Sequence, residues 1–380
     1  MHASCVRRSK EERSMSHVAG SSFSGTLVDR IRARFFYSAS ASLLTLAVGT
    51  IIAAVLWKLV LWAGVNAVWS PDAGACQKAT GACWGFVAEK WRLIIFGRYP
   101  YALQWRPALA TGLVIVMLAL SAWPVMWRKP HSRTLLTLWC VTIGVFFVLM
   151  LGGIFGLEKI STDMWGGLPL TVVLTLVGMS ASVPLGIFLA LGRRSKMPFV
   201  SAVSTGYIEL VRGVPLITVL FVAAFIFPLI LPAGVRIDPF WRVAVGIVLF
   251  QAAYMAETVR GGLQTIPHGQ FDAAASLGLN QRQMYSNVIL PQALVAIIPA
   301  FVNSLLSCFM DTSLVTVVSM YDLTGSLRLA LGDAVWRGYF VEGYVFIALV
   351  YFLFSFIISR YSQWLEKYLT GEKNRGHALS

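Results

Sequence analysis

Eight continuous apolar runs constrain the fold of this chain more than any other feature of its sequence. A helix needs about 20 mostly apolar residues to cross the hydrocarbon core of a bilayer, and each run is close to that length. The runs lack the alternation of apolar and polar residues that is typical of membrane β-strands. The sequence therefore predicts an all-α, polytopic membrane protein with about eight transmembrane helices. The predicted spans are residues 40–64, 107–127, 134–156, 167–192, 206–232, 241–261, 290–310 and 341–361.

The fifth run is the least regular, because Glu209, Arg212 and Pro215 interrupt its start. The composition also indicates a membrane protein, since only 13% of the residues are charged whereas soluble domains contain about 25%. The first span is too long for the apolar region of a cleaved signal peptide. We therefore expect it to act as an uncleaved targeting signal.

The distribution of lysine and arginine sets the predicted orientation, because cytoplasmic loops are enriched in these residues. Both termini are then cytoplasmic, and the longest outer loop is 65–106. The net charge of +14 follows from this topology, so we expect no nucleic-acid partner. With the N-terminus inside, most lysines and arginines fall in or beside the cytoplasmic segments 1–38, 128–133, 193–205, 262–289 and 362–380.

One predicted cytoplasmic segment, around residues 271–294, is unusually polar for this chain. Ala273–Ala275 favour a helix and Asp272 suits its first turn. Gly278 can end that helix in a left-handed cap. Residues 279–288 then predict a second short helix, and Pro291 marks the entry to the next span, where its missing N–H does no harm. We expect a helix, a glycine bend and a second helix at the membrane surface.

The spacing of this segment resembles the cytoplasmic EAA loop of type I ABC importer permeases. Aspartate stands where glutamate is usual, and valine stands where isoleucine is usual. In that family the loop forms a coupling helix that docks in a groove on the ATP-binding subunit. The other interpretation is an ordinary cytoplasmic linker. The matching positions are Asp272, Ala273, Ala274, Gly278, Val288, Leu290 and Pro291.

Three further segments resemble the polar amino acid branch of the same family. They are Glu209–Pro215, Glu257–Leu263 and Asp311–Leu314, and the likeness extends over about residues 166–366. Residues 96–107 resemble the outer loop of the general L-amino acid permeases, which are longer at the N-terminus. The implied organisation is a cytoplasmic tail at 1–38, an extension with three helices at 39–165, a five-helix core at 166–366 with its coupling loop at 262–289, and a tail at 367–380.

The resemblance implies a permease subunit of an ATP-driven, binding-protein-dependent importer of polar or general L-amino acids in the bacterial inner membrane. Its implied partners are a second permease subunit in a pseudo-twofold heterodimer, a dimer of ATP-binding subunits, a periplasmic solute-binding protein, the amino acid substrate and membrane lipid. No Gly-Lys dipeptide, and hence no Walker A loop, occurs in the sequence. We therefore expect no enzyme activity and no cofactor or metal on this chain, with ATP used by the partner subunit. A self-contained secondary transporter and a non-transporting scaffold are the alternatives.

Ionisable residues near or inside membrane spans are candidates for a gate or a substrate pathway. Glu257 and Arg260 are three residues apart on one helix face and can pair. The alternative for all of these charges is a structural ion pair or an anchor at a span end. Gln251 and Asn303 fit either helix packing or substrate contact. The charged candidates are Glu209, Arg212, Glu257, Arg260 and Asp311.

Two further features concern the predicted outer side. Cys76 and Cys83 lie in the same loop and would pair in an oxidising periplasm, or remain as two free thiols. Residues 312–335 are amphipathic, which predicts a short helix on the outer face.

Overall fold

The computed structural model describes residues 34–121, 123, 126, 131–232 and 234–377. The chain divides into two compact units. Among these residues, the first contains 34–68 together with Lys78–Ala82, and the second contains Trp69–Gln77 together with the described residues from Cys83 onward.

The first unit consists mainly of helix α1, Ala39–Val60, which continues through a π-helical turn at Leu61–Val65. The Ser38 side chain caps its start by accepting a hydrogen bond from the Ala41 amide at 3.2 Å. No residue of α1 is buried within the structure, and its mean hydropathy is 2.2. Such an exposed apolar surface suits contact with lipid.

The second unit is built from helices, with one short strand among its described residues. Its longer elements lie on the predicted spans except the fifth and the seventh, and the last helix continues to His377. Its elements are α2 (Ala73–Lys78), α3 (Gly85–Phe96), α4 (Trp105–Ser121), α5 (His131–Leu151), α6 (Gly167–Arg193), α7 (Pro198–Arg212), α8 (Leu216–Phe221), α9 (Phe227–Ile230), α10 (Pro239–Gln264), α11 (His268–Ser276), α12 (Gln281–Met284), α13 (Leu290–Ala296), α14 (Ile298–Asp311), β1 (Tyr321–Asp322), α15 (Leu323–Ala330) and α16 (Phe340–His377).

Within the described ranges, seven helices are long and apolar enough to cross a membrane, and the number is eight when one bent pair counts as a span. The bent pair corrects the fifth predicted span. Residues 206–232 do not form one helix, because α7 ends at Arg212 and the chain turns by 103° before Leu216. The physical reason is Pro215, which has no N–H for a helical hydrogen bond and disfavours the helical conformation of the residue before it.

The seventh predicted span, 290–310, is also displaced. Helix α13 ends at Ala296, and a new helix begins at Ile298 with Pro299 in its first turn. A 3₁₀ turn at Thr312–Val318 then extends this second helix, so the apolar segment runs from Ile298 to Val318. The first turn is where proline costs a helix least, so Pro299 favours a helix that starts at Ile298.

Helices α6 and α10 pack against each other along most of their length. Two glycines of α6 permit this close approach. A Cβ atom at Gly178 would lie 2.7 Å from Ile247 Cγ2, and one at Gly186 would lie 2.7 Å from Met255 Cβ. These separations are well below van der Waals contact, so larger residues would push the two helices apart.

Residues 96–106 hold the Gly167 end of α6. Gly97 and Gly167 both have positive φ, and a Cβ at Gly97 would lie 2.5 Å from the Gly166 Cα. Arg106 is fully buried and donates to the carbonyls of Leu149 at 2.7 Å and Glu158 at 2.9 Å. The segment that resembles the longer permeases therefore fastens the preceding helices to the start of α6.

Helices α2 and α3 belong to the same unit as α15, and α3 packs directly on α15. A disulfide joins Cys76 to Cys83, with 5.4 Å between their Cα atoms. Lys90 forms an ion pair with Asp333 at 2.9 Å. The short helix predicted within 312–335 is the eight-residue α15, and one of its faces is buried.

Candidate functional site

A cavity of about 700 Å³ lies beside the bend between α7 and α8. Its wall combines polar groups with apolar surface of at least equal extent, which includes Val214, Leu216, Phe250 and Leu314. The polar residues of the wall are Arg212, Gln251, Tyr254, Asn303, Ser304, Ser307 and Asp311.

Helices α14 and α10 and the bend supply most of this wall. Helix α14 presents Asn303, Ser307 and Asp311, which are four residues apart and therefore share one helix face. Helix α10 contributes Gln251 and Tyr254. The bend at 213–215 brings its backbone to the cavity, so the break in the fifth span is part of the site.

The charged groups of the wall have opposite signs. The Arg212 guanidinium offers a planar set of N–H donors that suits a carboxylate, and the Asp311 carboxylate can accept hydrogen bonds from an ammonium group. The side chains of Asn303 and Ser307 are exposed and line the cavity. The arrangement suits a small polar solute that carries both charges.

A cluster of five charged residues lies at the Arg193 end of α6. Glu257 is at its centre and accepts hydrogen bonds from Arg193 Nη1 at 2.6 Å and from Arg260 Nη2 at 2.7 Å. Arg212 Nη1 lies farther away, at 3.7 Å, and Arg193 also bonds Glu209 at 2.9 Å. The cluster joins α6, α7 and α10.

The polar segment 268–296 forms an elbow of two helical parts. Helix α11 ends at Ser276, and Gly278 has a φ of +73°, which is the left-handed conformation predicted for it. Asn280 then caps α12 in a capping box with Gln283. From Gln281 the chain remains helical through a π-helical turn at Tyr285–Ile289 and on to Ala296.

Side chains hold the two parts of the elbow together. The ring of Phe271 packs edge-on against Tyr285 at 6.2 Å between centroids. Gln292 donates to Gln270 Oε1 at 3.1 Å and to the Val288 carbonyl at 2.9 Å. These contacts make the elbow a compact element rather than a loose linker.

The matching positions of the elbow differ in exposure. Asp272, Ala273, Gly278 and Pro291 are exposed, Ala274 is buried, and Val288 and Leu290 are intermediate. One detail of the prediction is wrong: Asp272 is the fifth residue of α11, not part of its first turn, because the helix begins at His268 after Pro267.

The structure separates the five charged candidates into two groups. Glu209, Arg212, Glu257 and Arg260 meet in the cluster, whereas Asp311 lies in the cavity wall. Sequence reasoning missed the contribution of Arg193, which is 64 residues from Glu257 along the chain. It also missed Ser307, although the spacing of Asn303, Ser307 and Asp311 was a usable signal.

Comparison with known proteins gives three concordant findings. Residues 182–370 match the family described as binding-protein-dependent transport system inner membrane component. The inner membrane amino-acid ABC transporter permease protein YhdY of Escherichia coli (strain K12) is 44% identical over 339 residues, which cover 89% of this chain and 91% of that protein. The glutamate/glutamine/aspartate/asparagine transport system permease protein BztC of Rhodobacter capsulatus is 35% identical over 355 residues, covering 79% of this chain and 80% of that protein.

Among solved structures, an amino acid ABC transporter crystallised with histidines is similar to 53% of this chain, with 29% identity and a TM-score of 0.48, and 91% of that structure's chain is covered. Because the two sequence relatives match over most of their length, the chain belongs to the binding-protein-dependent transport system inner membrane components, the permeases of ABC importers.

Proposed function

We propose that this permease carries amino acids with polar side chains through the cavity beside the bend, as one subunit of an ATP-driven importer. The observation that carries the proposal is that Arg212 and Asp311 line the same cavity. The volume of the cavity, about 700 Å³, falls within the range of about 300–1,000 Å³ for small-molecule sites. The names of YhdY and BztC, which are amino-acid permeases, support the substrate class.

In this proposal, Arg212 binds the substrate carboxylate and Asp311 binds its ammonium group. Gln251, Asn303 and Ser307 are then available for the substrate side chain, because they present amide and hydroxyl groups to the same cavity. A polar lining of this kind favours polar side chains, since a buried polar group without a partner costs free energy.

The partners follow from the family. The proposal includes a second permease subunit, a dimer of ATP-binding subunits that hydrolyses ATP, and a solute-binding protein on the outer side. The elbow at 268–296 docks on the ATP-binding subunit, and Leu277, which is 79% exposed at its tip, offers an apolar contact. Docking on the ATP-binding subunit requires the elbow to be cytoplasmic. In the proposed orientation both termini are then cytoplasmic as well, and loop 65–106 is periplasmic.

The mechanism is alternating access driven through the elbow. A motor subunit can move the membrane helices only through a stiff contact, and the elbow is helical from Gln281 through α13 to Ala296, with one residue before the membrane helix α14. Residues 166–366 form the moving core, and the helices of 39–165 are an accessory extension.

Binding to the purified complex in lipid nanodiscs tests the site. We expect L-glutamine, L-glutamate, L-arginine or L-histidine to bind, and Arg212→Gln and Asp311→Asn each to weaken binding about tenfold or more, because each removes a charge-assisted hydrogen bond. Arg236→Gln removes an exposed arginine outside the cavity wall and is the control. Unchanged binding in both cavity variants would refute the site.

The same preparation distinguishes the alternatives. A secondary transporter would move the amino acid into proteoliposomes without ATP, and a scaffold would not move it at all. The proposal requires transport that depends on ATP and on the ATP-binding subunit.

A further inference from the structure

Arg212 belongs both to the charged cluster and to the cavity wall. The other four members of the cluster do not line this cavity. Arg212 is the last residue of α7, immediately before the bend. Its guanidinium therefore stands between the proposed substrate site and the Arg193 end of α6.

Glu257 holds its three arginine neighbours unequally. The contacts to Arg193 and Arg260 are 2.6 Å and 2.7 Å, which are short charge-assisted hydrogen bonds. The contact to Arg212 is 3.7 Å, which is longer than a hydrogen bond. The arginine that faces the cavity is thus the one that Glu257 holds most weakly.

The surroundings of Arg212 leave it able to bind a second carboxylate. A guanidinium carries five N–H donors, and the ion-pair partner of Arg212 among the described residues is Glu257 alone. Its Cζ atom lies 5.6 Å from the centre of the Tyr254 ring, a contact that supports the positive charge without using its donors. The side chain is about one-third exposed.

A substrate carboxylate and Glu257 would compete for the same guanidinium. Two parallel hydrogen bonds from the guanidinium to a bound carboxylate would be stronger than the present contact at 3.7 Å. Glu257 would keep its bonds to Arg193 and Arg260, so its negative charge would remain paired when Arg212 turns toward the cavity. The exchange leaves no buried charge without a partner.

We propose that Glu257 is a positioning residue that controls substrate release by competing with the substrate carboxylate for Arg212. The inference rests on the proposed function, in which the cavity takes an amino acid. With Glu257 in place, the cavity binds its substrate with moderate affinity and releases it toward the cytoplasm. Without the Glu257 charge, the Arg212 guanidinium interacts only with the substrate carboxylate.

The test uses the complete complex in nanodiscs, with L-glutamine and L-glutaminamide as probes. Glutaminamide keeps the ammonium group and side chain of glutamine but lacks its carboxylate. We expect Glu257→Gln to lower the Kd for glutamine about threefold to tenfold and to slow ATP-dependent glutamine transport. The Kd for glutaminamide should stay the same, because that probe has no carboxylate for Arg212.

Two further variants complete the design. Glu89→Gln removes the charge of a carboxylate that is ion-paired with Lys90 at 3.1 Å, outside the cavity and the cluster, and should leave both probes unaffected. Glu257→Asp keeps the charge but shortens the side chain by one methylene, so it should tighten glutamine binding by less than Glu257→Gln. If Glu257→Gln fails to fold, the Kd values of Glu257→Asp for the two probes provide the test.

The possible outcomes are distinct. If Glu257→Gln leaves the glutamine Kd unchanged, or alters glutamine and glutaminamide equally, Glu257 has only a structural role and the inference is overturned. If that happens while Arg212→Gln still weakens glutamine binding, the proposed function stands without the inference. If neither probe binds the wild-type complex and none of the other amino acids does, both are overturned.

Discussion

The backbone amide of Cys83 donates a hydrogen bond of 2.9 Å to Glu342 Oε1, across 259 positions of sequence. Glu342 is buried in the first turn of α16, where a negative charge interacts favourably with the helix dipole. The same cysteine is bonded to Cys76. The loop that precedes α3 is therefore tied to the last membrane helix, so residues 83–96 of the extension are fastened to α16.

Removing the disulfide should destabilise this attachment. We expect Cys76→Ser to lower the free energy of unfolding by about 2–3 kcal/mol, because a crosslink over so short a loop still removes conformational entropy from the unfolded chain. Thermal melting in detergent, with and without dithiothreitol, measures the effect. Reductant should lower the melting temperature of the wild type to that of Cys76→Ser. Cys140→Ser removes a free, exposed thiol and should melt like the wild type; equal melting of all three proteins would contradict the prediction.

The spans could be predicted because continuous apolar runs of this length are typical of transmembrane helices. The two displaced boundaries, at Pro215 and Pro299, arose because hydropathy alone does not weigh the missing proline N–H against the apolar residues around it. The elbow could be predicted because Gly278 and Pro291 act locally. The Glu257 cluster could be predicted only in part, since the i, i+3 pair with Arg260 is local, whereas contact with Arg193 depends on how α6 packs on α10. The disulfide remained an open alternative because spacing does not fix the distance between two thiols.

The left-handed conformation of Gly278 makes the elbow sensitive to the type of residue at this position. No atom lies within 4 Å of a Cβ placed there, so substitutions act through the backbone rather than by collision. We expect Gly278→Val to abolish co-purification of the ATP-binding subunit and ATP-dependent transport, because a β-branched residue at positive φ is a strong outlier. Gly278→Asn should retain both, since asparagine tolerates this conformation. Retention of the contact in the valine variant would argue against docking through the elbow.

Close packing at Gly186 provides a test of the α6–α10 interface. A Cβ at this position would lie 2.7 Å from Met255 Cβ and 3.0 Å from the Ala256 amide nitrogen. We expect Gly186→Ala to destabilise the protein by about 1–3 kcal/mol through overpacking. The matched control is Gly144→Ala in α5, where nothing lies within 4 Å; it should stabilise the helix by about 0.5–1 kcal/mol. Thermal melting of both variants decides the matter, and stabilisation by Gly186→Ala comparable to that by Gly144→Ala would show that the interface is not tightly packed at Gly186.

The ion pair between Lys90 and Asp333 should make the attachment of α3 depend on pH. The hydrogen bond from Lys90 holds the pKa of Asp333 below its usual value of 3.8, and the hydrogen bond to Asp333 raises the pKa of Lys90 above 10.5, with a further contribution from Glu89. A carboxyl group whose pKa is lowered on folding contributes stability above its unfolded pKa, and that stability is lost as the pH falls through the folded value. A lysine with a raised pKa contributes below its unfolded value, and its contribution is lost as the pH rises through the folded one.

The pair should therefore stabilise the protein by a constant small amount between roughly pH 5 and pH 9. We expect Lys90→Met to melt below the wild type by the same interval throughout that window, and the difference to shrink below about pH 4, where Asp333 begins to take up a proton. The amount is small because the pair is partly exposed to solvent. Asp333→Asn should give the same profile, and the double variant should add little to either single change because both remove one interaction. A difference that stays the same below pH 4 would show that Lys90 acts on α3 independently of the Asp333 charge.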